Sequence, residues 1–94
     1  MLFRTVINVL PKSIGELSLL EELDLSDNKI QNIPDTIGNL TSLKYLNLSL
    51  IMLATLPDSI RNLKYLNQLD LSNNKFHNIP KTIKDLKNIK IIRV

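Results

Sequence analysis

The chain has 94 residues, a formal net charge of +3, one histidine, no cysteine and no tryptophan. That length holds one domain or part of a longer array, and the composition excludes disulfide scaffolds, thiolate metal sites and multi-histidine metal sites. The longest apolar run, Leu50 to Ala54, falls far below the roughly 20 residues that cross a bilayer, and 19 leucines and 12 isoleucines against a single alanine make the core aliphatic.

In chain order, the first expected strand position is Leu2, and Pro11 opens the first of four identical steps. Prolines stand at 11, 34, 57 and 80, isoleucines at 14, 37, 60 and 83, and leucines at 17, 40, 63 and 86, each series with a period of 23. Further apolar columns keep step: Leu20, Leu43, Leu66 and Ile89; Leu23, Leu46, Leu69 and Ile92; Leu25, Leu48, Leu71 and Val94. In Leu23-Asp24-Leu25, Leu46-Asn47-Leu48 and Leu69-Asp70-Leu71 apolar and polar residues alternate, which predicts strands with one buried face and with Asp24, Asn47 and Asp70 toward water. Asn28 and Asn74 fall where each strand must turn, and their amides can both donate and accept there. Pro34, Pro57 and Pro80 preset φ and lack an N–H, so each predicts a short helical segment ending near Leu40, Leu63 and Leu86. No such coil buries its leucines alone, so the coils must stack.

The run Leu17-Ser18-Leu19-Leu20-Glu21-Glu22-Leu23-Asp24-Leu25-Ser26-Asp27-Asn28 fits LxxLxxLxLxxN, Leu63 to Asn74 fits it again, and Asn28 to Gly38 supplies NxIxxIPxxIG. The chain therefore resembles the leucine-rich repeat family over essentially its whole length, in the 23-residue intracellular subclass of Ras-pathway scaffolds, Scribble-type polarity proteins, bacterial repeat proteins and plant resistance receptors. The resemblance implies an α/β solenoid: a right-handed arc with a parallel sheet on the concave face and short helical or 3-10 segments on the convex face. It also explains Gly15 and Gly38, which share one column, as tight packing points. The expected organisation is a single domain over 1–94, with a partial repeat 1–16, repeats 17–39, 40–62 and 63–85, and a partial repeat 86–94.

The second repeat departs from the pattern. Ile51 stands in the column of Asn28 and Asn74, Leu50 in that of Asp27 and Asn73, and Met52 in that of Lys29 and Lys75. Ile51 is expected to fill the core, whereas Leu50 and Met52 are expected to form an apolar spot beside the strand edge. At the ends, Ile89, Ile92 and Val94 occupy columns buried elsewhere, so exposure or cover by a second molecule is expected. The chain reads as a fragment of a longer array or as one whose ends pair with another chain.

Residues 1–40 carry three basic and six acidic side chains, a net of −3, and residues 41–94 carry nine and three, a net of +6. The lysines of the basic half recur every three residues, with no aromatic interleaved for base stacking. They are read as solvating groups, and nucleic acid is not expected as a partner. No phosphate-cradling loop or nucleophile elbow can be written with two glycines, His77 has no second ligand beside it, and the acids Glu21, Glu22, Asp24 and Asp27 read as a charged rim. The chain is expected to be no enzyme and to take neither cofactor nor metal.

What remains is a surface for a protein partner, used as a scaffold or in signal transduction. Its expected contacts are Glu22, Asp24, Tyr45, Asn47, Gln68 and Asp70 on the strands, extended by Ile91, Arg93 and the column Ser26, Ser49 and Ser72, with Leu50 and Met52 at the edge. Tyr45 is the principal candidate as an exposed aromatic beside acids; the alternative is that its ring lies along neighbouring aliphatics. The other reading of the chain is a structural unit that self-associates into a homo-oligomer through its end repeats. Met1-Leu2-Phe3-Arg4 lacks the layout of a secretory signal, and with no cysteine a cytoplasmic chain is expected.

Overall fold

From each proline the apolar residues recur at every third position, as in Pro34, Ile37, Leu40, Leu43 and Leu46. A period of three is the geometry in which residues i and i+3 eclipse, which is that of a 3-10 helix and not of an α-helix. The computed structural model, which describes residues 9–76, 80–86 and 88–93 (91–93 by their backbone), has this form. Four 3-10 helices span Lys12–Glu16, Asp35–Asn39, Asp58–Asn62 and Lys81–Asp85, each directly after its proline. The carbonyls of Pro11, Pro34, Pro57 and Pro80 accept from the amides of Ile14, Ile37, Ile60 and Ile83 at 3.0–3.2 Å. The carbonyl of each Ile then accepts from the Leu three residues on, at 3.1–3.2 Å for Leu17, Leu40 and Leu86 and 3.0 Å for Leu63.

Between the helices run four three-residue strands: β1 (Glu22–Asp24), β2 (Tyr45–Asn47), β3 (Gln68–Asp70) and β4 (Ile91–Arg93). They form one parallel sheet in the order β1-β2-β3-β4. Its register pairs Leu23 with Leu46, Leu46 with Leu69 and Leu69 with Ile92, a shift of one repeat at each step. The strands begin one residue earlier than the expected triplets. Pairing nevertheless continues past them, because the Leu25 amide donates to Asn47 O at 2.9 Å and the Leu48 amide to Asp70 O at 2.8 Å.

The core is a stack of aliphatic columns between sheet and helices. Leu23, Leu46 and Leu69, Leu25, Leu48 and Leu71, and Ile37, Ile60 and Ile83 are all buried, as are Leu40, Leu63 and Leu86. Leu17 is the exception in its column and remains 45% exposed. Ile89 was expected to stand exposed or be covered by another molecule, but it is partly buried and packs against the core of its own chain. Leu2, His77 and Val94, and the side chains of Ile91, Ile92 and Arg93, lie outside the described residues.

The helices approach each other closely where the repeat carries glycine. A β-carbon on Gly15 would stand 2.6 Å from the Thr36 carbonyl oxygen and 2.8 Å from its Cβ, and one on Gly38 would stand 2.7 Å from both the carbonyl oxygen and the Cβ of Ser59. In the third helix the same column holds Arg61. There a cleft of about 320 Å³ opens, lined by Arg61, Lys64, Asp85, Leu86 and Asn88.

Candidate functional site: the solvent face of the sheet

The parallel register converts sequence columns into rows across the sheet. Glu22, Tyr45, Gln68 and Ile91 form one row, and Asp24, Asn47, Asp70 and Arg93 form the next. Of the expected contacts, Glu22 and Gln68 are exposed, while Asp24, Tyr45, Asn47 and Asp70 are half-buried. Tyr45 therefore lies partly along its neighbours and partly open, between Glu22 and Gln68. Leu50 and Met52 are exposed at 49% and 46%, but they sit on the turn after β2, beyond the strand rows.

A device that the sequence reading did not recognise fixes the second row. The Ser26 amide and hydroxyl both donate to Asp24 Oδ1, at 2.9 and 2.6 Å. Ser49 makes the same pair to Asn47 Oδ1 at 3.0 and 2.7 Å, and Ser72 makes it to Asp70 Oδ1 at 2.9 and 2.6 Å. Each Asx side chain is thus clipped by the serine two residues on, an Asx-turn whose signal was present in the repeated pattern Asp-Leu-Ser, Asn-Leu-Ser, Asp-Leu-Ser. This also corrects the expected row of serines: all three hydroxyls are turned back to the Asx side chains, and Ser49 is buried while Ser26 and Ser72 are half-buried. Adjacent strands stand about 4.8 Å apart, so neutral Asn47 keeps the carboxylates of Asp24 and Asp70 near 10 Å from each other and limits their repulsion.

The turns behind these rows are held by asparagine. Asn28 is buried and donates from Nδ2 to Leu25 O at 2.9 Å. Asn74 donates to Leu71 O at 3.0 Å and across to Leu48 O at 2.7 Å, and its Oδ1 accepts from the amides of Ile51 and Leu53, both at 3.0 Å. Ile51 occupies the equivalent place fully buried, so the second repeat keeps its register. Asp27, Leu50 and Asn73 all take φ of 59°, and Met52 takes 63°. Three further exposed apolar residues carry no signal in the spacing, Val9 at 75%, Leu19 at 87% and Tyr65 at 64%, the last two sharing one outward column. Among the described residues no group of His, Asp or Glu is placed to hold a metal ion, and no helix is long and apolar enough to cross a membrane.

Two family descriptions match the chain, a leucine-rich repeat region over residues 35–94 and a leucine rich repeat over residues 4–50. The chain belongs to the leucine-rich repeat family. Among solved structures, a leucine-rich repeat protein of Leptospira interrogans is similar at 39% identity and a TM-score of 0.87 over 97% of this chain. The plant peptide hormone receptor RGFR1, solved in complex with RGF2, is similar at 28% identity and a TM-score of 0.71 over 93% of this chain. The chain spans 25% of the length of the first and 18% of the second. Among curated proteins no match was found. The leucine-rich repeat fold is generally a protein-interaction module.

Proposed function

We propose that this repeat segment is a binding module for a protein partner, working as a scaffold with Tyr45 at the centre of its contact surface and Glu22, Asp24, Asn47, Gln68 and Asp70 around it. The observation that supports this reading is the serine-clipped row. Asp24, Asn47 and Asp70 are held in one rotameric state before any partner arrives, so little side-chain freedom is left to lose on association. The half-buried ring of Tyr45 adds contact area at the low entropic cost of two side-chain torsions. The single-domain division into repeats 17–39, 40–62 and 63–85 and an intracellular setting belong to the same proposal, the latter supported by a sequence without cysteine.

The test is capture from lysate on the immobilised chain, with Tyr45→Ala and Asp70→Ala alongside. Proteins retained by the native chain and lost by both variants, with unchanged circular dichroism, support the reading. Retention by both variants places the contact elsewhere. Light scattering of the free chain separates this proposal from self-association.

A further inference from the structure

The turn after β2 carries a combination found in neither neighbouring coil. In coils one and three the left-handed position is filled by Asp27 and Asn73, residues whose short polar side chains tolerate that conformation. In coil two it is filled by Leu50, and a second left-handed residue, Met52, follows two positions later. Both are long apolar side chains, and both are close to half exposed. Backbone strain and exposed apolar surface are each unfavourable, and here they coincide on two residues that flank the fully buried Ile51.

The surroundings of Met52 are cationic. Lys29 and Lys75 occupy its column in the coils on either side, both are exposed, and among the described residues neither ammonium has an ion-pair partner. Coils spaced by roughly 5 Å put the two lysines on opposite flanks of the methionine. Asp27 stands in the column of Leu50 itself, one coil back, so the basic side chains lie on the Met52 side of the turn.

We propose that the Leu50–Met52 turn is a docking point for a peptide segment in which apolar side chains are flanked by carboxylates. The apolar side chains seat on Leu50 and Met52, and the carboxylates meet Lys29 and Lys75. The inference rests on the reading of the chain as a protein-binding module and adds a second contact, of stated chemistry, outside the strand rows. A polyanion such as nucleic acid or an anionic bilayer fits less well, because two lysines beside Asp27 form a small mixed patch, whereas the apolar pair needs a complementary apolar partner.

The experiment is a nitrogen-15 amide titration with three synthetic nonapeptides: a central Leu-Phe-Leu between glutamates, the same centre between lysines, and a central triple serine between glutamates. The expected result is shift changes confined to residues 27–30, 50–53 and 73–76, with the first peptide alone, weakened by salt. Met52→Lys and the double variant Lys29→Glu with Lys75→Glu should each weaken binding by about tenfold or more. Leu50→Asn relieves the left-handed strain, so it should melt higher than the native chain and still bind more weakly, which separates loss of contact from loss of fold. Equal binding of the lysine peptide, or no response to the first peptide at about 1 mM, overturns the proposal. Shifts that map to Tyr45 and Asp70 overturn it while leaving the strand-face reading intact. Concentration-dependent shifts in the free chain that Met52→Lys abolishes make the occupant a second copy, and binding of anionic vesicles in preference to the peptide makes it a lipid surface; either result overturns it.

Discussion

Ile51 and Asn74 occupy the same column and serve the fold by different means. Asn74 ties coil three to coil two through three hydrogen bonds of 2.7–3.0 Å, whereas Ile51 offers coil one only hydrocarbon. Intramolecular hydrogen bonds are worth about 0.5–1.5 kcal/mol each, and the apolar burial forfeited with an isoleucine is about 1.5–3 kcal/mol. Ile51→Asn is therefore expected to raise the unfolding free energy by about 1 kcal/mol in a urea titration. Leu53→Asn, equally buried two residues on but away from the ladder, is expected to lower it by about 3 kcal/mol, because the amide is buried without partners. A loss of similar size for both variants would show that the ladder position confers nothing. The burial of Ile51 and the exposure of Leu50 and Met52 were legible in the sequence, since each follows from its column. Their left-handed backbone was not, because leucine and methionine carry no signal for positive φ. Ser49 was misplaced for a related reason: its column marked it as an outward serine, and only the hydrogen bonds to Asn47 Oδ1 show it folded back.

At the scale of the element, the apolar period of three runs from Pro34 to Leu46 and passes to a period of two at Leu46 and Leu48, and the helix occupies only the first five residues after the proline. That switch was visible in the spacing from Pro34 to Leu46, so helix positions were legible to within a residue or two, and strand centres to within one. What the spacing did not reveal is how closely successive helices pack. Gly38→Ala places a methyl group 2.7 Å from Ser59 backbone and Cβ, so neighbouring coils must move apart. The expected cost is about 1–3 kcal/mol, read as a lowered denaturation midpoint. Arg61→Gly tests the same column in reverse: it removes a side chain from a cleft where no such crowding exists, and its effect is expected to stay within about 1 kcal/mol, the helix propensity cost of glycine. A larger loss for Arg61→Gly than for Gly38→Ala would show that glycine is not there for close approach. The exposed ion pair of Arg61 with Asp85, at 3.8 Å, is too open to solvent to alter that ranking.

For the whole molecule, the sheet and the helix stack are coupled through a single aliphatic core, and the stack is one-dimensional: among the described residues every strand pairs only with its sequence neighbours. A central coil consequently supports both sides of the array. Leu46 is fully buried and in register with Leu23 and Leu69, so Leu46→Ala is expected to cost about 2–5 kcal/mol and to lower the entire far-ultraviolet transition as one step. Two separated transitions would indicate that the coils on either side of it fold independently. The fold was legible at this scale because a period of 23 constrains every coil at once. The solvent face of the sheet was legible in part: the register brings Glu22, Asp24, Tyr45, Asn47, Gln68 and Asp70 into two adjacent rows as the columns required, while the serine clips and the exposure of Leu19 and Tyr65 depend on geometry that alternation does not specify.

The column of Gly15, Gly38 and Arg61 also governs how the coils fan apart. On the sheet side, hydrogen bonds between strands fix the separation of successive coils at about 4.8 Å regardless of side chain. On the helix side, that separation is set by whatever fills this column, hydrogen in two coils and an arginine in the third. The angle between successive coils can therefore be adjusted by one substitution per repeat, on the surface opposite the strand rows. In a longer array, changes in this column would alter the curvature of the sheet while leaving every residue on its solvent face unchanged.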